Sequence, residues 1–168
     1  MALLYKNLKL KIFELTPLFL LLFISLNGNS IIDFKLFTIN VHYILVYYWV
    51  LKKPQALGYS FIFLSGIITD AVFGLPIGCT ALTLLIVAAV AAYVRVVTVR
   101  ISLVSDWLVF IPALLIANLV YFLILYFSDY SIDYLYLFKN SVFTFIFYPV
   151  LWVLFELLRR ITKTGTYA

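Results

Sequence analysis

Long apolar runs separated by short polar breaks extend over almost all of the 168 residues. A helix that crosses a bilayer needs about 20 largely apolar residues, and six runs are candidates for such helices. The second run is short, so we expect it to include flanking residues or to lie where the bilayer is thin. The pattern predicts an all-α, polytopic integral membrane protein with six transmembrane helices, at residues 12–31, 36–51, 55–73, 76–94, 103–127 and 134–156.

The composition agrees with this pattern. Apolar residues make up 66% of the chain and charged residues 11%, with a mean hydropathy of +1.15. A soluble domain has about 25% charged residues, and no stretch is left over to form one. We therefore interpret residues 1–168 as a single membrane domain. No small-residue cleavage site follows the first apolar run, so this run is predicted to be an uncleaved span rather than a signal peptide.

The distribution of lysine and arginine predicts the orientation, because these residues are retained on the cytoplasmic side. With the N-terminus inside, only Lys35 and Lys139 of the 12 basic residues fall on outer segments. Trp49, Trp107 and Trp152 also lie toward the predicted cytoplasmic ends of their spans. Both termini are therefore predicted to be cytoplasmic. The basic residues on that side are Lys6, Lys9, Lys11, Lys52, Lys53, Arg95, Arg100, Arg159, Arg160 and Lys163.

One acid lies inside the apolar part of the chain, near the predicted outer end of the third span. Such a charge costs about 2.5–3.5 kcal/mol on insertion scales, so Asp70 is a candidate functional residue. Glycines recur around it every four residues, and Pro76 predicts a tight reversal between the third and fourth spans. This pattern favours close packing of these two spans, and a groove for the transmembrane helix of a partner is the alternative. The candidate packing or docking residues are Gly66, Asp70, Gly74, Pro76 and Gly78.

The only histidine, His42, lies at a depth similar to that of Asp70 on the preceding, antiparallel span. We therefore expect a buried polar pair of His42 and Asp70, which would lower the cost of burying the acid. A structural clamp is the favoured interpretation of this pair, and a proton relay is the alternative. If the role of Asp70 is packing or docking, Asp70→Asn should be largely tolerated, whereas Asp70→Leu should not.

Other polar residues in the spans suggest structure rather than chemistry. Asn118 is expected to form an interhelical hydrogen bond. Asp106 and Glu156 are expected to anchor the cytoplasmic ends by pairing with basic neighbours such as Arg159 and Arg160. The chain has no second intramembrane acid for a carboxylate dyad and no phosphate-binding loop, and one histidine with one cysteine makes a poor metal site. The sequence thus predicts no catalytic, cofactor-binding or metal-binding residues.

Residues 66–78 resemble the signature of the rod-shape-determining MreD family, G-L-x-x-D-x-x-x-G-x-P-L-G. Ile67 and Ile77 stand where the family has leucine. The matching residues are Gly66, Asp70, Gly74, Pro76 and Gly78.

This resemblance implies a non-enzymatic, multi-pass scaffold in the bacterial inner membrane, which acts in cell elongation, cell-shape maintenance and lateral peptidoglycan synthesis. The implied direct partner is the bitopic protein MreC, within a complex that also holds the MreB cytoskeleton and the elongation peptidoglycan synthases. No cofactor and no nucleic acid are implied. The basic cytoplasmic rim could meet anionic membrane lipid, and homo-oligomerisation is left open.

The alternative function is that of a substrate-binding component of an energy-coupling-factor type vitamin transporter, since the MreD family resembles these proteins in fold. Such a component needs a pocket with convergent polar groups. It also typically presents an Ala-x-x-x-Ala face on its first helix, which is missing from the first span here. The candidate pocket residues are Asp70, His42, Asn40, Trp49 and the outer tyrosines Tyr126, Tyr130, Tyr134 and Tyr136.

Overall fold

A computed structural model describes residues 15–27, 39–98, 102–130 and 133–164, with side chains as far as residue 160. Over these ranges the structure contains six α-helices and no β-strand, which confirms the predicted all-α class. A short 3₁₀ turn, Pro54–Ala56, follows the second helix. The helices are α1 (Thr16–Asn27), α2 (Val41–Lys52), α3 (Tyr59–Phe73), α4 (Cys79–Val97), α5 (Leu103–Phe127) and α6 (Tyr134–Thr164).

The helices differ in whether they could cross a membrane. By length and composition, α4, α5 and residues Tyr134–Arg160 of α6 could do so. Within the described residues, α1 and α2 have 12 residues each and α3 has 15, four fewer than the run of 55–73 predicted for it. The predicted bounds of 103–127 coincide with α5, and α6 continues beyond the predicted residue 156.

The short helix α2 lies in the centre of the bundle. Every residue from Ile44 to Leu51 is at most 3% exposed, because α1, α4 and α6 all pack around the helix. A helix that is apolar on all sides is suited to such a position. The second apolar run therefore forms a helix that is surrounded by protein.

An aromatic cluster joins α2 to α5 and α6 near the middle of the bundle. The ring of Phe110 lies 5.0 Å from that of Tyr47 and stacks on Tyr148 at 4.7 Å, measured between centroids. All three side chains are fully buried. Aromatic pairs of this kind contribute about 0.5–1.5 kcal/mol beyond the burial of their area, so the cluster fixes the central helix against its neighbours.

Several sequence predictions concern residues outside the described ranges. These are both bounds of the first span, the start of the second, and the residues Lys6, Lys9, Lys11, Lys35 and Arg100. The side chain of Lys163, near the end of α6, is likewise not described.

Candidate functional site

The carboxylate of Asp70 caps the helix that follows its own. Its Oδ2 accepts a hydrogen bond from the backbone N–H of Gly78 and its Oδ1 accepts one from Thr80, each at 2.8 Å. The first N–H groups of a helix have no partner within the helix, and the N-terminus carries a partial positive charge. Asp70 is fully buried and supplies both an acceptor and a complementary charge at this point. The acid is therefore the N-terminal cap of α4.

Glycine is needed on both sides of the turn that brings α4 back to Asp70. Gly74, which follows the last residue of α3, has φ +63°, and Gly78, which precedes the first residue of α4, has φ +97°. Residues with a Cβ rarely adopt this left-handed backbone. The N–H groups of Gly74 and Leu75 both donate to the carbonyl oxygen of Asp70, which closes the end of α3. Asp70 thus bonds both helix ends, one through its backbone and the other through its side chain.

Gly66, the first glycine of the motif, allows α3 and α4 to touch. A Cβ at Gly66 would lie 2.3 Å from the Cα and 2.5 Å from the backbone nitrogen of Ala81. These are backbone atoms that cannot rotate away. Gly66 lies one turn before Asp70 and Ala81 lies in the first turn of α4. Their contact therefore sets the separation at which the Asp70 carboxylate reaches the start of α4.

These contacts bear on the two interpretations of the motif. Gly66 and Asp70 are buried against α4, as the packing interpretation expects, so they are not available as a groove for a partner helix. Gly74 is exposed, and nothing lies within 4 Å of a Cβ placed on it. We refer to residues 66–81 as the capped reversal.

The predicted pair of His42 and Asp70 is wrong, because the structure gives each side chain a different partner. Nε2 of His42 lies 3.1 Å from Oγ of Ser25 on α1. The carboxylate of Asp70 instead bonds the backbone of α4, which the reversal brings closer than the neighbouring helix. A proton relay between the two residues therefore has no support in this geometry.

A buried ion pair lies at the opposite end of the bundle. Nζ of Lys52 is 3.1 Å from Oδ2 of Asp106, which is 2% exposed. The indole N–H of Trp152 donates to the same oxygen at 3.1 Å, and the Lys52 ammonium lies 5.4 Å from the centre of the indole ring. The prediction that Asp106 pairs with a base is confirmed, and the base comes from α2.

The second predicted anchor is confirmed with its predicted partners. Glu156 forms ion pairs with Arg159 at 2.7 Å and with Arg160 at 3.4 Å on the same helix. Its Oε2 also accepts a hydrogen bond from the Tyr48 hydroxyl of α2, at 2.8 Å. This end therefore concentrates the charged contacts of the described residues, and we call it the charged end.

A cavity of about 270 Å³ opens at the end of the bundle that contains the capped reversal. It is bounded by the starts of α2, α4 and α6, the end of α3, and the second half of α5 with the turn after it. We call it the polar cavity. Its lining residues are Asn40, His42, Tyr43, Thr69, Phe73, Leu75, Thr80, Asn118, Tyr121, Tyr130, Tyr136, Leu137 and Asn140.

The sequence identified part of this lining. Of the predicted pocket residues, Asn40, His42, Tyr130 and Tyr136 do line the cavity. The others do not: Asp70, Trp49, Tyr126 and Tyr134. Trp49 is buried in the last turn of α2.

Asn118, Tyr121 and Asn140 were missed as pocket residues, because the pairing of α5 with α6 that brings them together leaves no local signal. Asn118 does form the expected interhelical bond, from Nδ2 to Oγ of Ser141 at 2.9 Å.

Comparison of the chain with family models, with curated proteins and with solved structures gives no match. Among the described residues, no group of three or more His, Cys, Asp or Glu side chains is placed to hold a metal ion. The capped reversal and the polar cavity are therefore the features from which function can be inferred.

Proposed function

We propose that this chain is an MreD-like, non-enzymatic scaffold of the cell-elongation complex in the bacterial inner membrane. The observation that supports the proposal is the capped reversal. Each glycine of the matching signature, together with its acid, has a distinct task in this one unit: close approach at Gly66, capping by Asp70, and left-handed backbone at Gly74 and Gly78. The glycines and the acid that carry the resemblance therefore act together in one structural unit of this chain.

The proposed topology has six membrane-embedded helices and both termini in the cytoplasm. Three helices have the length and composition of spans, and α1 and α3 are apolar but shorter. The charged end contains Lys52, Arg159 and Arg160, which the positive-inside rule assigns to the cytoplasm. The capped reversal and the polar cavity then face the outer side.

In this role the protein would bind the bitopic protein MreC and, within one complex, join the MreB cytoskeleton and the elongation peptidoglycan synthases. The contact with MreC must use a surface other than the Gly66 and Asp70 face of α3, since that face is buried against α4. The basic cytoplasmic rim would meet anionic lipid, and a homo-oligomer remains part of the proposal to be tested.

The second candidate function is substrate binding for an energy-coupling-factor type vitamin transporter. The polar cavity favours it, because such a protein needs an enclosed polar site at this end of the bundle. The missing Ala-x-x-x-Ala face on the first span still counts against it.

Depletion of the chain in its native bacterium distinguishes the two functions. A scaffold of the elongation complex should be needed for rod shape, so depleted cells should widen and round while vitamin uptake stays normal. Cell width by microscopy and uptake of labelled vitamins are measured on the same cultures, with re-expression of the wild-type chain as control. Rods of normal width that fail to take up one vitamin would reverse the ranking.

A further inference from the structure

The polar cavity differs in composition from an ordinary small-molecule pocket. Ten of its 13 lining residues carry a side chain that can form hydrogen bonds. Ligand pockets are usually lined mostly by apolar groups with a few polar ones. A cavity with this many hydrogen-bonding groups in its lining matches a ligand that carries several hydroxyl groups. The apolar lining residues are Phe73, Leu75 and Leu137.

The charge of the cavity restricts the ligand further. None of the described lining residues is Lys, Arg, Asp or Glu. The nearby carboxylate of Asp70 is occupied by two backbone N–H groups. Within the described lining, a phosphate or carboxylate ligand would find no matching cation, and it would lose its hydration without compensation there. The described lining therefore suits an uncharged ligand.

His42 presents a hydrogen-bond acceptor whose state is fixed by Ser25. The Ser25 hydroxyl donates its one hydrogen to the carbonyl of Leu21 at 2.8 Å. The Nε2 of His42, 3.1 Å from the same oxygen, must then donate to it, so that Nδ1 of the neutral ring carries a lone pair. In the structure Nδ1 has no hydrogen-bond partner among the described residues, and the side chain lines the cavity.

Two amide groups complete a mixed set of donors and acceptors. Nδ2 of Asn118 donates to Ser141, which leaves its Oδ1 as an acceptor. Oδ1 of Asn140 is 3.3 Å from the Thr144 hydroxyl, which donates its hydrogen to the Asn140 backbone carbonyl at 2.6 Å, so the amide of Asn140 keeps hydrogen-bonding capacity for a ligand. Hydroxyl groups both donate and accept, so a ring with several hydroxyls can use all three positions. The rings of Tyr121 and Tyr130 add flat apolar surface beside them, and the Tyr121 hydroxyl, which has no hydrogen-bond partner among the described residues, adds a further hydrogen-bonding group.

We propose that the polar cavity binds one uncharged sugar ring, either as a free saccharide or as the headgroup of a glycolipid. The volume of about 270 Å³ is at the lower limit of ligand pockets, so it suits a single ring. Both sources share this chemistry. The proposal goes beyond the scaffold function and does not depend on it.

The test uses the full chain in phosphatidylcholine nanodiscs, prepared with a polyoxyethylene detergent because maltoside detergents carry sugar headgroups themselves. Methyl β-D-glucoside and methyl N-acetyl-β-D-glucosaminide are titrated by saturation-transfer NMR, with glucose 6-phosphate as the charged comparison. In parallel, the thermal stability is measured in nanodiscs with and without glucosyl-diacylglycerol. Binding of a methyl glycoside identifies a free saccharide, and stabilisation by the glycolipid alone identifies a headgroup.

Substitutions of lining residues test whether the ligand binds in the cavity. Tyr121→Phe and Asn140→Leu should each weaken it about tenfold through the loss of one hydrogen-bonding group. Tyr93→Phe is the matched control, since Tyr93 is 70% exposed on the last part of α4, far along the chain from the cavity residues. Size-exclusion profiles show whether each variant is folded.

The proposal is overturned if neither glycoside nor glycolipid binds, or if glucose 6-phosphate binds equally well. It is also overturned if folded Tyr121→Phe and Asn140→Leu bind as the control does. The depletion experiment on cell shape does not depend on sugar binding. Failure of this proposal is therefore distinct from failure of the scaffold function.

Discussion

Replacing Gly66 by leucine should remove almost all folded protein from the membrane. Even the first carbon of the new side chain would lie 2.3 Å from the Cα of Ala81, so α3 and α4 would have to separate. Overpacking of a core costs about 1–3 kcal/mol and occasionally more. Here we expect the upper part of that range or beyond, because the clash is with backbone and separation also breaks the Asp70 cap.

Gly66→Ala should also destabilise the protein, which is the opposite of the usual effect of this substitution in a helix. Alanine in place of glycine normally stabilises a helix by about 1 kcal/mol. At this position it should destabilise the protein, and leucine should do so more. The matched control is Gly58→Ala, where the new Cβ would meet Phe61 at an ordinary 3.5 Å. Membrane protein level and heating followed by size-exclusion chromatography measure the effect. Wild-type stability of Gly66→Leu would disprove the close contact.

Asp70 should show a graded response to substitution. Leucine leaves the N–H groups of Gly78 and Thr80 without an acceptor, and each buried, unsatisfied group costs about 1–3 kcal/mol. Asparagine can accept only one of these two bonds and turns an NH₂ group toward the other donor. Asp70→Asn should therefore be intermediate between wild type and Asp70→Leu, whereas the sequence alone suggested that it would be largely tolerated.

The control for Asp70 is its neighbour Thr69, whose hydroxyl bonds only the Ser65 carbonyl within α3, at 2.9 Å. Thr69→Val keeps the shape and should change stability by no more than about 1 kcal/mol. Thermal stability of the four proteins in one detergent is compared. If Asp70→Leu matches Thr69→Val, Asp70 is not the cap of α4. If Asp70→Asn is folded and stable but loses function, the charge itself has a role beyond capping.

Much of the helical architecture is predictable from the sequence. The start and end of α5 coincide with the apolar run, because Ser102 and Ser128 interrupt the pattern at the helix termini. Gly74 and Pro76 correctly indicate the reversal. The bounds of α2 are harder to predict from the sequence, since apolarity does not distinguish a helix that faces lipid from one buried on all sides by protein.

Long-range partners are where sequence reasoning fails. Asp70 and His42 have suitable depths, yet depth says nothing about the direction of a side chain. The partner of His42 is Ser25, 17 residues earlier, and Asp106 is paired with Lys52 from a distant part of the chain. The capping role of Asp70 is different, because the cap and the start of α4 are only eight residues apart. The spacing from Asp70 to Gly78 is a local pattern that could have been recognised in the sequence.

Affinity purification of the tagged chain from native membranes in mild detergent, with mass spectrometry of the bound proteins, tests the scaffold function most directly. The Gly58→Ala variant serves as a folded control and Gly66→Leu as a negative one. We predict recovery of MreC and elongation synthases with wild type and Gly58→Ala, and their loss with Gly66→Leu. Recovery instead of an ATPase pair with a transmembrane coupling subunit would contradict the scaffold function.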